Sequence, residues 1–265
     1  MNVKYLWSLV ALLVLTLFIP NPAQAVAVGR FTAVEGQADL LKQGKVPALP
    51  ARVGDGVEPG DVIRTKSTGR AQVKFRDDSL VTLAPESRLA VADFVYEADL
   101  GQRRAVLRYY KGVIHTLVPR LLNMQEPDFL METHTAVLGV RGTENYTVLL
   151  PNATGAYLIE GLLELRSSNP EITDTILLKE MEFSTIPLGQ PPTLPRPIRP
   201  AMLQMLKDLM KTGLKETAFL GVGAGPPGPG VAQIPEVLGF VGQEKLPQPI
   251  IPPRLLPPRK STRSR

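Results

Sequence analysis

The 265 residues contain no cysteine, and that absence alone removes disulfides, thiolate nucleophiles, iron-sulfur clusters and cysteine zinc sites. Only two histidines are present. Neither His115 nor His134 sits in a His-x-x-x-His or His-Glu-x-x-His pattern, and no Gly-x-Ser-x-Gly elbow occurs, so no metal, no cofactor and no enzymatic activity is expected. Aromatic residues make up 6% of the chain, and none are interleaved with the basic residues as base-stacking platforms require. Nucleic acid is therefore not an expected partner. After the first 25 residues no apolar run is long enough to span a bilayer.

What is present begins with an address. Lys4 precedes an apolar run from Leu6 to Ile19, followed by Pro20-Asn21-Pro22 and the small-x-small site Ala23-Gln24-Ala25. This reads as a cleavable secretory signal over residues 1–25, cut after Ala25, leaving a periplasmic or extracellular protein. The net charge of +5 conceals an asymmetry. Residues 26–186 carry 18 Lys and Arg against 21 Asp and Glu, and residues 187–265 carry 11 against 4. Sixteen of the 26 prolines also lie beyond residue 186. Residues 187–265 thus read as a basic Pro/Gly-rich tail, mostly disordered and drawn to polyanions. One island interrupts it near 200–214. Met202, Met205, Leu206, Leu209 and Met210 recur at helical spacing behind Pro200, a helix suited to docking on a core or, alternatively, to meeting a partner or membrane surface.

Residues 26–186 read as an all-β domain. In Arg70 to Arg76, Ala71, Val73 and Phe75 alternate with Arg70, Gln72, Lys74 and Arg76, the period of two of a half-buried strand. Asp77-Asp78-Ser79 turns the chain into Leu80 to Ala84, in a register that sets Phe75 opposite either Leu80 or Val81. Strands are expected over Val62–Thr65, Leu89–Val95, Ala105–Tyr110, Val113–Val118, Val137–Thr143, Tyr146–Leu150, Ala156–Ile159, Leu162–Arg166 and Thr175–Leu178. Lys111-Gly112 reads as a hairpin turn between two of them. Many short antiparallel strands at this spacing suit a sandwich or a solenoid-like arrangement.

Several short pieces, taken together, resemble the FecR domain family of bacterial envelope proteins. They are Gly60-Asp61-x-Ile63-Arg64-Thr65, Gly69-Arg70-Ala71, Asp77-Asp78-Ser79 where the family has Asp-Gly-Ser, Pro85-Glu86-Ser87, Val140-Arg141-Gly142-Thr143 and Glu160-Gly161. Thr133-His134 stands where the family usually has Thr-Pro. The resemblance implies an exported β-domain. The sigma-regulating part of the name-giving members is not expected, because about five residues precede the apolar run.

The residues singled out for binding or for holding the fold are Arg64, Thr65, Asp77, Ser79, Arg141, Gly142 and Thr143. An arginine entering a strand suits a carboxylate or a glycan acid, but reads first as an internal ion pair or carbonyl contact that fixes the strand entry. Asp61 or Asp77 are the partners expected for Arg64. His134 has Asp128 and Glu132 near in sequence as candidate acid-base partners, but reads first as a surface or strand histidine. The function these residues suggest is non-enzymatic binding or scaffolding of an envelope protein or a polysaccharide such as peptidoglycan. A periplasmic sensor acting through a membrane partner is the alternative.

Overall fold

The structure, a computed structural model, describes residues 26–100, 102–120 and 129–214. The expected signal segment, Asp128 and the tail after Leu214 lie outside the described residues.

Alternation of apolar and polar residues produces strands throughout: β1 (Gly29–Glu35), β2 (Ala38–Leu41), β3 (Leu49–Pro50), β4 (Gly56–Val57), β5 (Val62–Thr65), β6 (Arg70–Phe75), β7 (Leu80–Leu83), β8 (Arg88–Glu97), β9 (Gln102–Val118), β10 (Phe129–Glu132), β11 (Ala136–Leu150), β12 (Ala153–Ser167), β13 (Thr175–Leu178), β14 (Glu182–Pro187) and β15 (Arg196–Pro197). One helix follows, α1 (Pro200–Thr212). All fifteen strands belong to one hydrogen-bonded sheet. It is folded over into two layers because β9, β11 and β12 each pass from one layer to the other. The first layer runs β4-β1-β6-β7, then the second half of β9 and of β11, the first half of β12, β14 and β15. The second runs β3-β2-β5-β8, the first half of β9, β10, the first half of β11, the second half of β12 and β13. A two-layer sandwich with strands shared between layers is therefore the arrangement, rather than a solenoid.

The sequence reading differs from the structure at the glycines. Lys111-Gly112 is no hairpin, since β9 continues through it. Gly112 has φ +98°, and a Cβ there would run into Ser87. Likewise the strands expected over Val137–Thr143 and Tyr146–Leu150 are one strand bent at Gly142, and those over Ala156–Ile159 and Leu162–Arg166 are one strand bent at Gly161. Left-handed backbone at a glycine redirects a strand without breaking its ladder, which in sequence looks like a turn. The pairing is also not wholly antiparallel, because β10 lies parallel to β9 with Phe129 beside Ala105. The β6–β7 hairpin pairs Val73 with Val81 and Lys74 with Leu80. Phe75 then donates its N–H to the Ser79 carbonyl at 2.9 Å, so it opposes neither Leu80 nor Val81. The loop is Arg76-Asp77-Asp78, with Asp78 in the left-handed region at φ +65°, the place the family gives to glycine.

A single core fills the space between layers. Phe31, Val73, Val81 and Leu83 of the first layer meet Ile63, Leu89, Leu107, Leu138 and Leu163 of the second. Phe75 stacks on Phe94 across the gap with centroids 5.0 Å apart. The Tyr109 hydroxyl reaches Thr116 Oγ1 at 2.8 Å, and burial raises the phenol's pKa. A second apolar cluster lies on the outside of the first layer. There Leu206 and Leu209 of α1 pack on Val113, Tyr146, Val148 and Tyr157. Of the two roles open to the amphipathic helix, docking on the domain is the one observed. Pro200 opens α1 and Gly213, φ +73°, closes it with its N–H on the Leu209 carbonyl.

Candidate functional site

The seven singled-out residues fall into two groups at opposite ends of the folded sheet. At the first end the chain crosses between layers after β5 and again after β7. Thr65 is buried there; its hydroxyl donates to the Ala84 carbonyl at 2.6 Å and accepts the Ser87 N–H at 2.9 Å. Ser87 in turn binds Val113 beside the Gly112 bend. Asp61, also buried, accepts the N–H groups of Gln43 and Glu58 and the Lys42 ammonium, each at 2.9 Å. The Gly-Asp-x-Ile-Arg-Thr motif is thus a clamp and a latch: Asp61 satisfies loop backbone at the start of β5 and Thr65 satisfies backbone at the crossing after it.

At the second end, Asp77 is buried at the tip of the β6–β7 hairpin. It accepts the Ser79 hydroxyl at 2.6 Å and N–H at 3.1 Å, and it meets Arg103 Nη1 at 3.2 Å. Both side chains of that ion pair are shut off from water, at 2% and 0% exposure. Arg103 also donates to the Pro119 carbonyl and lies 5.7 Å from the Phe129 ring centroid. The pair ties the first layer to the second where β11 and β12 bend together. Gly142, φ +59°, passes so close to Arg120 that a Cβ would stand 2.6 Å from that residue's Cβ. A Cβ on Gly161 would collide with the Gly142 carbonyl. Thr143 is buried next to the bend, and its hydroxyl meets no hydrogen-bond partner among the described residues. Arg141 is exposed, opposite Leu162.

Arg64 behaves differently from the residues around it. Neither of its expected partners is used. Its Nη2 instead meets Asp39 Oδ2 at 3.0 Å, and Lys66 meets the same oxygen at 2.9 Å. Their hydrogen bonds and charges, the Lys66 bond foremost, hold the Asp39 carboxyl below the usual carboxylate range against a smaller opposing effect of burial. His134 is exposed, the surface placement expected of it, and the acid-base pairing with Glu132 does not form. His134 Nε2 meets the Pro151 carbonyl at 3.1 Å, while Glu132 pairs with Arg108 at 2.7 Å. His115 stacks on Tyr146 with Nε2 3.0 Å from Glu144. Among the described residues no group of three or more His, Asp or Glu side chains is placed to hold a metal ion, and no helix is long and apolar enough to cross a membrane.

Sequence reasoning passed over Arg88 and Tyr110, which share the outward side of the second layer with Arg64. Their signal is the outward phase of β8 and β9: Leu89 and Tyr109 point into the core, so Arg88 and Tyr110 point out.

A family model described as FecR protein matches residues 61–163. The chain carries a FecR domain. The matched span begins at the clamping carboxylate Asp61 and contains the latch, the Asp77–Arg103 pair and the bends at Gly112, Gly142 and Gly161. Two crystal structures of a candidate anti-sigma factor from Parabacteroides distasonis, at 2.50 and 1.65 Å resolution, align with TM-scores of 0.43 and 0.41. Each is 14% identical, with 54% of this chain and 62% of that one covered, so the FecR-domain chain spans less than two thirds of that protein's length. No curated protein sequence matches.

Proposed function

We propose that the chain is an exported FecR-domain protein without catalytic activity that binds or scaffolds a component of the bacterial envelope, peptidoglycan being the first candidate. The observation carrying this reading is where the motif chemistry goes. Thr65, Asp77 and Ser79 spend their polar groups on one another, on backbone and on Arg103, and Gly142 serves a bend. What the domain offers outward is recognition surface on a rigid sheet. The basic tail adds an electrostatic hold on anionic polymer, and cleavage after Ala25 places the protein in the periplasm or outside the cell.

The test is sedimentation of residues 26–265 and of residues 26–214 with purified peptidoglycan sacculi across a salt series. Retention of both forms supports recognition by the FecR domain. Salt-sensitive retention lost with the tail assigns contact to the tail alone. No sedimentation of either form removes the wall from consideration.

A second reading, a periplasmic signalling module working through a membrane-bound protein, draws support from the FecR match itself and from an open edge. β13 pairs with β12 alone, and Leu177 on it is 47% exposed, the setting for strand addition by a partner. Hydrogen exchange that slows at Thr175–Leu178 when envelope membranes are added would favour this reading over the first.

A further inference from the structure

The outward side of the second layer carries a row of cations that the chain neutralises only in part. Register sets Arg64 on β5 directly opposite Arg88 on β8, and Arg88 opposite Lys111 on β9. Lys66 follows at the end of β5. Like charges directly opposite on neighbouring strands repel, so the row costs stability unless something neutralises it. The neutralisation within the chain is partial. Asp39 serves Arg64 and Lys66 together, and Glu86 stands 3.7 Å from Lys111. Arg88 has neither. Its guanidinium lies over the Tyr110 ring, 5.3 Å from the centroid, and among the described residues no carboxylate or carbonyl meets it. The Nε atoms of Arg64 and Arg88 are both buried without an acceptor. Arg70, Arg104 and Arg108 differ in that each has its own carboxylate within 3.0 Å.

A guanidinium positioned over an aromatic ring has already lost part of the freedom that binding a planar or tetrahedral oxyanion would otherwise cost. A second guanidinium directly opposite on the neighbouring strand supplies further donors, and charge-assisted bonds of this kind are among the strongest available. We propose that Arg64 and Arg88, with Lys111 beside them and Tyr110 as platform, form a binding site for an oxyanion group, carboxylate or phosphate, carried by a larger ligand. The site does not depend on that ligand being cell wall.

The test is a titration of the ¹⁵N-labelled chain, residues 26–265, with sodium acetate and separately with inorganic phosphate, ionic strength being held constant with chloride. The readout is the arginine Nε–H signals and the backbone amides of Arg64, Arg88 and Lys111. Saturable shifts at these groups are expected with at least one anion. The anion that saturates at lower concentration identifies the ligand group as carboxylate or phosphate. Arg88→Gln should weaken the response about tenfold or more, and Arg88→Lys, which keeps the charge and loses the fork, should weaken it nearly as much. Tyr110→Leu should weaken it by about threefold while removing no charge. Arg104→Gln should leave it unchanged. Shifts that stay linear with both anions, or an Arg88→Lys protein titrating like the parent, would overturn the proposal.

Discussion

The two outer faces of the folded sheet are made alike and finished differently. On the first layer, α1 seals an apolar strip: Leu206 is fully buried against Val113, Tyr146, Val148 and Tyr157. On the second, the apolar cluster among the described residues is small, Leu41, Val62 and Ala90 with Ala48 packed on it, and much of the rest carries charge. A face sealed by the chain's own helix serves stability. A face that no helix covers, with its cations only partly neutralised, is available for recognition, so the division between the faces separates fold from function more sharply than the family motifs do.

Substitutions can break this division at three depths. The deepest is the bend that creates both faces. Gly161→Ala places a Cβ against the Gly142 carbonyl at a backbone conformation, φ +93°, that L-residues avoid. Strain plus overpacking should cost about 4 kcal/mol or more, read as a collapse of the urea unfolding midpoint. Next is the tie between layers. Arg103→Met strands the Asp77 carboxylate in a site with 0% exposure, at a cost of about 3 kcal/mol. The double change Asp77→Asn with Arg103→Met should recover much of it; no recovery would mean that the pair is not what Arg103 contributes.

The third depth is the seal alone. Leu206→Ala should cost about 2–3 kcal/mol by cavity formation and loosen α1 while leaving the inner core intact. Burial raises the pKa of Tyr157 and, with the Glu144 charge as a lesser cause, that of Tyr146. Loosening α1 should therefore bring their phenols back toward the ordinary value near 10, measured by ultraviolet titration of tyrosinate. Unchanged titration with lowered stability would show that the helix stays seated, and that the first face is sealed more firmly than the second is open.

How much of this could be read beforehand follows from the range of each signal. Period-two alternation is local, so Val62–Thr65 and Thr175–Leu178 stood out at their observed bounds, the strand from Arg70 reads one residue too long, through Arg76, and the 3.6 period marked α1. The bends did not stand out. Gly112, Gly142 and Gly161 carry the same local signature whether the chain reverses or switches layers, and only the partner strands decide between the two. The partner of Arg64 was missed for the same reason: Asp39 sits 25 residues earlier on a strand whose neighbour is fixed by tertiary pairing. Arg88 and Tyr110 belong to no motif. Their importance arises from register with Arg64, which a single strand's pattern does not contain.

The smallest expected effect tests the bare face directly. Asp39 is the carboxylate most engaged with its cations, and the lowered pKa means that its ionised form is favoured in the fold relative to the unfolded chain, where the ordinary value is 3.8. Its contribution to stability is therefore fully present above about pH 4–5 and is lost as pH falls through the depressed value of the folded state. Because Lys66 is 46% exposed, solvent screening limits that contribution to at most about 1 kcal/mol. Asp39→Asn should remove this part of the acid dependence and lower stability slightly at pH 7. The same change strips the row of a counter-charge, so it should also tighten oxyanion binding at Arg64 and Arg88 by a few fold. A surface kept only for solubility would show the first effect and not the second. A binding face, relieved of an internal competitor, should show both.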